Sequence, residues 1–276
     1  MPNLNLGTFE LRYEEAGTAG EPVCLVHDSW GDRRQWDAIV ARLSTSCRVL
    51  TYDRRGHGAS SSPGGSVALA DQVGDLSTLL SVAGPGARHI VGTGVGGVVA
   101  LQLALLRPDQ VRSVNVHEPS LLGLLASDPQ ASQVLAEART LEEAVLGRVR
   151  AGDPRGAAQS FVDGVSIDGA GWSGLPPTVQ ASFVANAPAS SHETSDPTTQ
   201  SMEIERFAGY RDPVLVTAGT RSAPVFGTIN DRVADSFYGA SRYSFEGAGH
   251  YPHVTHPDDC ARVIAEFCRY AAERSS

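Results

Sequence analysis

The chain has 276 residues, 41% hydrophobic and 19% charged, with a formal net charge of -9. That length suits one large α/β domain with an insertion, or two small domains. All 22 basic residues are arginine and none forms a run, which argues against a nucleic-acid or anionic-membrane partner.

Short β-branched runs alternate with helix-period segments, the pattern of a parallel sheet built from βαβ units. Residues 9–15 predict an antiparallel edge strand. The continuous apolar run 22–27 predicts a strand buried on both faces. Apolar residues at 36, 39, 40 and 43 predict a helix over 35–43. A strand at 48–52 leads into Asp53-Arg-Arg-Gly-His57, and a helix is expected over 67–80. The strand 88–91 runs into a glycine-rich turn and a helix over 96–106. A strand at 111–116 ends in His117-Glu118-Pro119. The pattern then changes. Residues 129–149 read as helix, and 151–200 is rich in Gly, Ser, Pro and Asp with short apolar pieces such as 179–184. Residues 122–205 are expected to form a helical insertion. Strands at 213–218 and 243–246 and helices at 225–237 and 257–272 complete the chain. The four cysteines form no C-x-x-C pair, so no zinc site is expected, and Cys24 and Cys268 read as small buried hydrophobes. The N-terminus lacks a charged n-region and an apolar h-region, so cytoplasmic residence with reduced thiols is expected.

The turn Gly92-Thr-Gly94-Val-Gly96 is the most informative segment. A nucleophile elbow, G-x-S-x-G, is a sharp strand-to-helix turn that lifts a serine above a parallel sheet. Here glycine stands in the serine's place, so no carbonyl is attacked from this position. Gly92-x-Gly94-x-x-Gly97 also matches the dinucleotide fingerprint, with Glu118 at the end of the next strand to meet a ribose hydroxyl. That fingerprint normally opens its fold, whereas two strand units precede it here.

Five features in order make the chain resemble the α/β-hydrolase fold superfamily over nearly its whole length. They are His27-Asp28-x-Trp30-Gly31 after a strand, Asp53-x-Arg55-Gly56-His57-Gly58-x-Ser60, the elbow, an insertion after the sixth strand, and Gly249-His250-x-Pro252-His253. The resemblance implies a mostly parallel eight-stranded sheet flanked by helices, with core residues 1–121 and 206–276 and a helical cap over 122–205. His117-Glu118-Pro119 and the stretch from Phe183 through Asn186 to Pro188 resemble a subgroup with a lid over an apolar pocket. His250 matches the catalytic histidine. The family's usual aspartate after the seventh strand is missing from Gly219-Thr-Arg221-Ser222. Glu118 is the substitute, either orienting His250 or bonding the backbone at its strand end. Asp28 stands where the family has glycine beside the oxyanion hole, and opposes a developing negative charge there. It either faces the pocket or caps the helix starting near Arg33.

The resulting expectation is an enzyme without a covalent intermediate. His250, oriented by Glu118, acts as general base or acid, with Asp28 as a second proton-handling group across the pocket. His27, Trp30, Gly94, Val95 and Asn186 are candidate substrate contacts, with the Val95 N–H available to an enolate or other anion. The vacated serine space could hold a water or a substrate atom. Burial is expected to raise the Asp28 and Glu118 pKa values. No metal or cofactor signature occurs. A small, largely apolar metabolite, aromatic or polyketide-like, is the expected partner, and the sequence gives no oligomeric state. The alternatives are a non-catalytic binder of the same fold, a residual ester or lactone hydrolase, and a dinucleotide-dependent oxidoreductase.

Overall fold

A computed structural model describes residues 2–7, 9–60, 68–166 and 171–274. Residue 67 of the expected 67–80 helix and residues 167–170 of the expected insertion lie outside them. Among the described residues one eight-stranded sheet runs β1(Asn3–Asn5), β2(Glu10–Ala16), β4(Cys47–Tyr52), β3(Glu21–Val26), β5(Arg88–Thr93), β6(Val111–His117), β7(Val214–Gly219), β8(Ser241–Phe245) across its width. β1 pairs with β2 and β2 with β4 antiparallel; the remaining neighbours are parallel.

Both faces of the sheet are covered, and β3 accordingly ends in the buried apolar run Val23–Val26. Side chains alternate along β3. Val23 and Leu25 join α1(Asp37–Leu43) and α10(Pro257–Arg274) on one face through Ile39, Leu43, Ile264 and Phe267. Cys24 and Val26 join α2(Leu69–Val82) and α3(Val95–Leu106) on the other. α10 begins with proline, followed by two aspartates in its first turn, the arrangement that suits a helix N-terminus.

Between β6 and β7 lie α4(Ser132–Arg150), α5(Pro154–Val165), α6(Gly171–Gly174) and α7(Pro177–Ser195), where the insertion was expected. Asp153 caps α5 by accepting the Gly156 N–H at 2.8 Å. α7 contains Pro188, yet its buried stripe runs unbroken from Val179 through Phe183, Asn186 and Ser190 to Glu193. α8(Pro224–Asp235) and the short α9(Pro252–Thr255) complete the helices. No helix among the described residues is long and apolar enough to cross a membrane.

Candidate active site

The ends of β3, β5 and β6 and the loop after β8 converge on one point. β5 turns into α3 at Gly94, whose φ of 53° and ψ of -123° give the strained backbone of an elbow. Gly96 is packed so closely on the Val26 and His27 carbonyls that a Cβ would overlap them. A Cβ on Gly94 would overlap the Asp28 carboxylate. Asp28, from the loop after β3, therefore fills the space that a side chain at position 94 would take.

Its two oxygens have different partners. Oδ1 accepts the Val95 N–H at the start of α3, at 2.9 Å. Oδ2 lies 3.6 Å from His250 Nε2, and neither atom has another partner among the described residues. His250 Nδ1 donates to Glu118 Oε2 at 2.6 Å, while Glu118 Oε1 accepts the Gly219 N–H at 2.7 Å. Both readings of Glu118, backbone partner and histidine partner, thus hold at once. Glu118 is the one non-glycine residue with positive φ (45°) among the described residues. Strain of this kind persists only where the surroundings impose it.

The electrostatics follow from this chain of three. Burial lowers the basicity of His250, but Asp28 and Glu118 on either side outweigh it and push the imidazole up to about 9. Burial raises the Asp28 carboxyl, but His250 and the Val95 N–H hold it below the usual carboxylate range. Glu118 likewise is raised by burial and brought down further by His117 and His250. The expected rise in both carboxyl pKa values is therefore corrected: an imidazolium between two carboxylates stabilises their charged forms more than burial opposes them.

Four further expectations need correction. Asp28 caps α3; the turn beginning at Arg33 is capped by Asp32, which accepts the Arg34 N–H at 2.9 Å. Asp28 and His250 do not face each other across a pocket but meet directly. The Val95 N–H is already occupied, and so is the space of the absent serine. His27 and Asn186 are scaffold residues here. His27 Nδ1 donates to the Asp28 carbonyl at 2.7 Å and Nε2 accepts the Arg54 N–H at 2.8 Å. Asn186 bridges Gly58 and Gly31. Trp30 is buried and stacks on Phe161, with ring centroids 4.9 Å apart.

A cavity of about 330 Å³ lies beside this chain, lined by Leu122, Val134, Leu141, Phe161, Val165 and Phe226 among others. Phe226 stacks on the His250 ring at 4.3 Å and Phe161 meets its edge at 6.5 Å, so the same two rings line the cavity and hold the imidazole. Two acids, Glu137 and Glu142, also line it, and burial raises Glu142 to about 6.

Ligand atoms of His117, Glu118 and His250 lie within 4.8 Å of one another. Glu118 Oε2 is hydrogen bonded to His250 Nδ1, and burial lowers His117 to about 4. Each Glu118 oxygen thus has a protein partner. Sequence reasoning missed Arg54 and Glu193, a fully buried ion pair. The signal was weak: Glu193 lies at helical spacing from Val179 and Phe183, but the intervening stripe positions Asn186 and Ser190 are polar.

The alpha/beta hydrolase family profile matches residues 25–263. The putative carbamate hydrolase RutD of Azorhizobium caulinodans is 31% identical over 116 residues, 42% of this chain and 43% of that protein. The 2-(acetamidomethylene)succinate hydrolase of Mesorhizobium japonicum is 24% identical over 96% of this chain and 93% of its own length. The chain spans between 30% and 52% of the length of several curated relatives it matches. Among solved structures, a thermophilic esterase from Thermogutta terrifontis superposes with a TM-score of 0.80 at 22% identity, over 95% of this chain and 94% of that one, a likeness of fold.

Proposed function

The chain belongs to the alpha/beta hydrolase family, and within it we propose an enzyme that works without a covalent intermediate on a small, largely apolar metabolite. The observation that carries this reading is the pair Asp28 Oδ2 and His250 Nε2, 3.6 Å apart, buried, and otherwise unpartnered among the described residues. With His250 pushed up to about 9 and Asp28 held low, the resting pair at neutral pH is imidazolium and carboxylate. His250 Nε2–H is then the general acid and Asp28 Oδ2 the general base. To reach the pair from the cavity behind Phe161 and Phe226, a substrate has to part the Asp28 and His250 side chains; it then accepts a proton from His250 at one atom and gives one up to Asp28 at a neighbouring atom. Elimination, ring opening or closing, and addition of a water activated by Asp28 all have that form. Glu118 orients His250 and holds the positive charge, as the acid of a triad does.

Residues 122–205 act as the cap in this reading, because α4 and α5 supply Val134, Leu141, Phe161 and Val165 to the cavity. The two phenylalanines beside His250 suit a flat, aromatic or polyketide-like substrate. Acyl transfer is disfavoured, since the elbow has no nucleophile and a carboxylate occupies the N–H that would bind an oxyanion.

The test is an incubation of a small-molecule extract with the protein in D₂O, followed by mass spectrometry. Wild type should deplete a metabolite and yield a product with exchanged hydrogen, lost water or added water. Asp28→Asn and His250→Ala should not, and the intact protein should carry no adduct. Identical metabolite profiles for wild type and both variants would sink the reading, as would an adduct on Asp28. The direct contact of Asp28 with His250 favours one second reading, a non-catalytic binder. It would retain a metabolite unchanged.

A further inference from the structure

The loop that carries Asp28 is clamped from an unexpected direction. Its neighbour Ser29 donates its hydroxyl to Glu193 Oε2 on α7 at 2.6 Å, and accepts the Ser190 hydroxyl of the same helix on its carbonyl at 2.6 Å. His57 Nε2 lies 2.8 Å from that carbonyl. On the other side of Asp28, Arg54 donates its Nε to the His27 carbonyl at 2.9 Å and its backbone N–H to His27 Nε2. The same Arg54 guanidinium pairs with Glu193, and Gln72 Nε2 donates to Glu193 Oε1 at 2.8 Å. Arg54, His57 and Glu193 are wholly buried.

A buried charge pair is a costly way to seat a helix, and apolar residues of similar volume often stabilise as well. What the pair adds is direction. Glu193 ties a helix of the insertion to both peptide neighbours of the carboxylate, to Ser29 directly and to His27 through Arg54. We propose that Glu193 is a positioning residue: acting through Ser29 and Arg54, it holds Asp28 in the space above Gly94 and against His250 when α7 is seated. The inference rests on the proposed roles of Asp28 and His250, and it couples docking of the insertion to assembly of the acid–base pair.

The groups facing His250 are Asp28, Glu118, His117, His253 and Tyr251, with Phe161 and Phe226 against its ring. Glu193 hydrogen bonds or pairs instead with Ser29, Arg54, Gln72 and His57. Glu193→Gln also strips Arg54, which feels the Asp28 charge, of its counter-ion, so the uncharged change Ser29→Ala is the one that isolates movement of Asp28. The experiment is a ¹⁵N NMR titration of the His250 imidazole in the full chain, with melting temperatures measured alongside. It compares wild type, Ser29→Ala, Glu193→Gln and a remote core variant, Val263→Ala. Ser29→Ala and Glu193→Gln should each lower the His250 midpoint by about one unit, a tenfold loss of proton affinity. Val263→Ala should lower the melting temperature without moving the midpoint. If Glu193→Gln does not fold, Ser29→Ala carries the test. An unmoved midpoint in folded Ser29→Ala overturns the inference, as does an equal shift in Val263→Ala. The titration needs no turnover. A protein that fails the D₂O test but shows this shift has the clamp without the chemistry, and the reverse result leaves the chemistry without the clamp.

Discussion

Gly94 and Asp28 share one space. A serine at the elbow and a carboxylate after His27 compete for the same volume, because a Cβ at 94 overlaps Asp28. Gly94→Ser alone should therefore be destabilised by roughly 1–3 kcal/mol, from overpacking and a side chain at positive φ. It should gain no esterase activity. The double variant Asp28→Gly with Gly94→Ser frees both the volume and the Val95 N–H, and should hydrolyse p-nitrophenyl acetate. The comparison is a chemical-denaturation curve and an esterase assay on the three proteins. Activity in the single variant would show that Asp28 does not occupy the serine's place. For the proposed chemistry, Asp28→Asn keeps the shape and removes the base, so turnover of the identified metabolite should fall by about 10²–10⁴. A variant with wild-type rate would remove Asp28 from the mechanism. At this scale the sequence named His250, Glu118 and Asp28, because each stands in a motif whose framing glycines and strand ends are readable. It did not show that they touch. Glycine at one turn and a carboxylate at another read as two separate departures until space is considered. The low carboxyl pKa values were missed for the same reason, since burial is legible in sequence and a neighbouring imidazolium is not.

Among elements, α7 is the one whose role sequence period understated. Only 179–184 stood out as apolar, because polar Asn186, Ser190 and Glu193 continue the same buried stripe. Those residues are buried through hydrogen bonds to the loops after β3 and β4, which no hydropathy pattern reports. β1 was absent from the reading since Asn3–Asn5 is short and mostly polar, an edge strand paired on one side. The central strands and α10 were legible because continuous apolar runs and a clean helical stripe admit few other placements. The buried pair gives this scale its expectation. Glu193→Ala leaves Arg54 charged, buried and unpaired, and should cost about 3–5 kcal/mol. Thr78→Ala on the exposed face of α2 loses only a helix-backbone bond and should stay within about 0.5 kcal/mol. Urea unfolding of the two variants separates them. A Glu193→Ala loss no larger than that of Thr78→Ala would mean the pair is not holding α7 to the core.

For the whole molecule, buried histidines of opposite sense give the stability a pH dependence whose sign follows from proton linkage. His250 is raised from 6.5 to about 9, so its contribution is fully present below pH 6.5 and is lost as pH rises through 9. His27, His57, His117 and His253 are lowered from 6.5, chiefly by burial, so the unfolded chain takes up protons that the native one refuses. Stability therefore falls as pH drops below 6.5. Asp28 and Glu118, lowered from 3.8 and 4.5, extend that loss at more acidic pH. The buried cysteines, all raised from 9.0, weaken the fold only above that value. The interval between 6.5 and 9 is thus governed by His250. Unfolding free energy measured in urea should peak near the lower end of that interval and decline across it by an amount on the order of a few kcal/mol. In Asp28→Asn one of the two charges that raise His250 is gone, so the decline across the same interval should shrink. Equal slopes in wild type and Asp28→Asn would mean that His250 does not carry its charge between the two carboxylates. The general acid of the proposed reaction would then be uncharged at neutral pH.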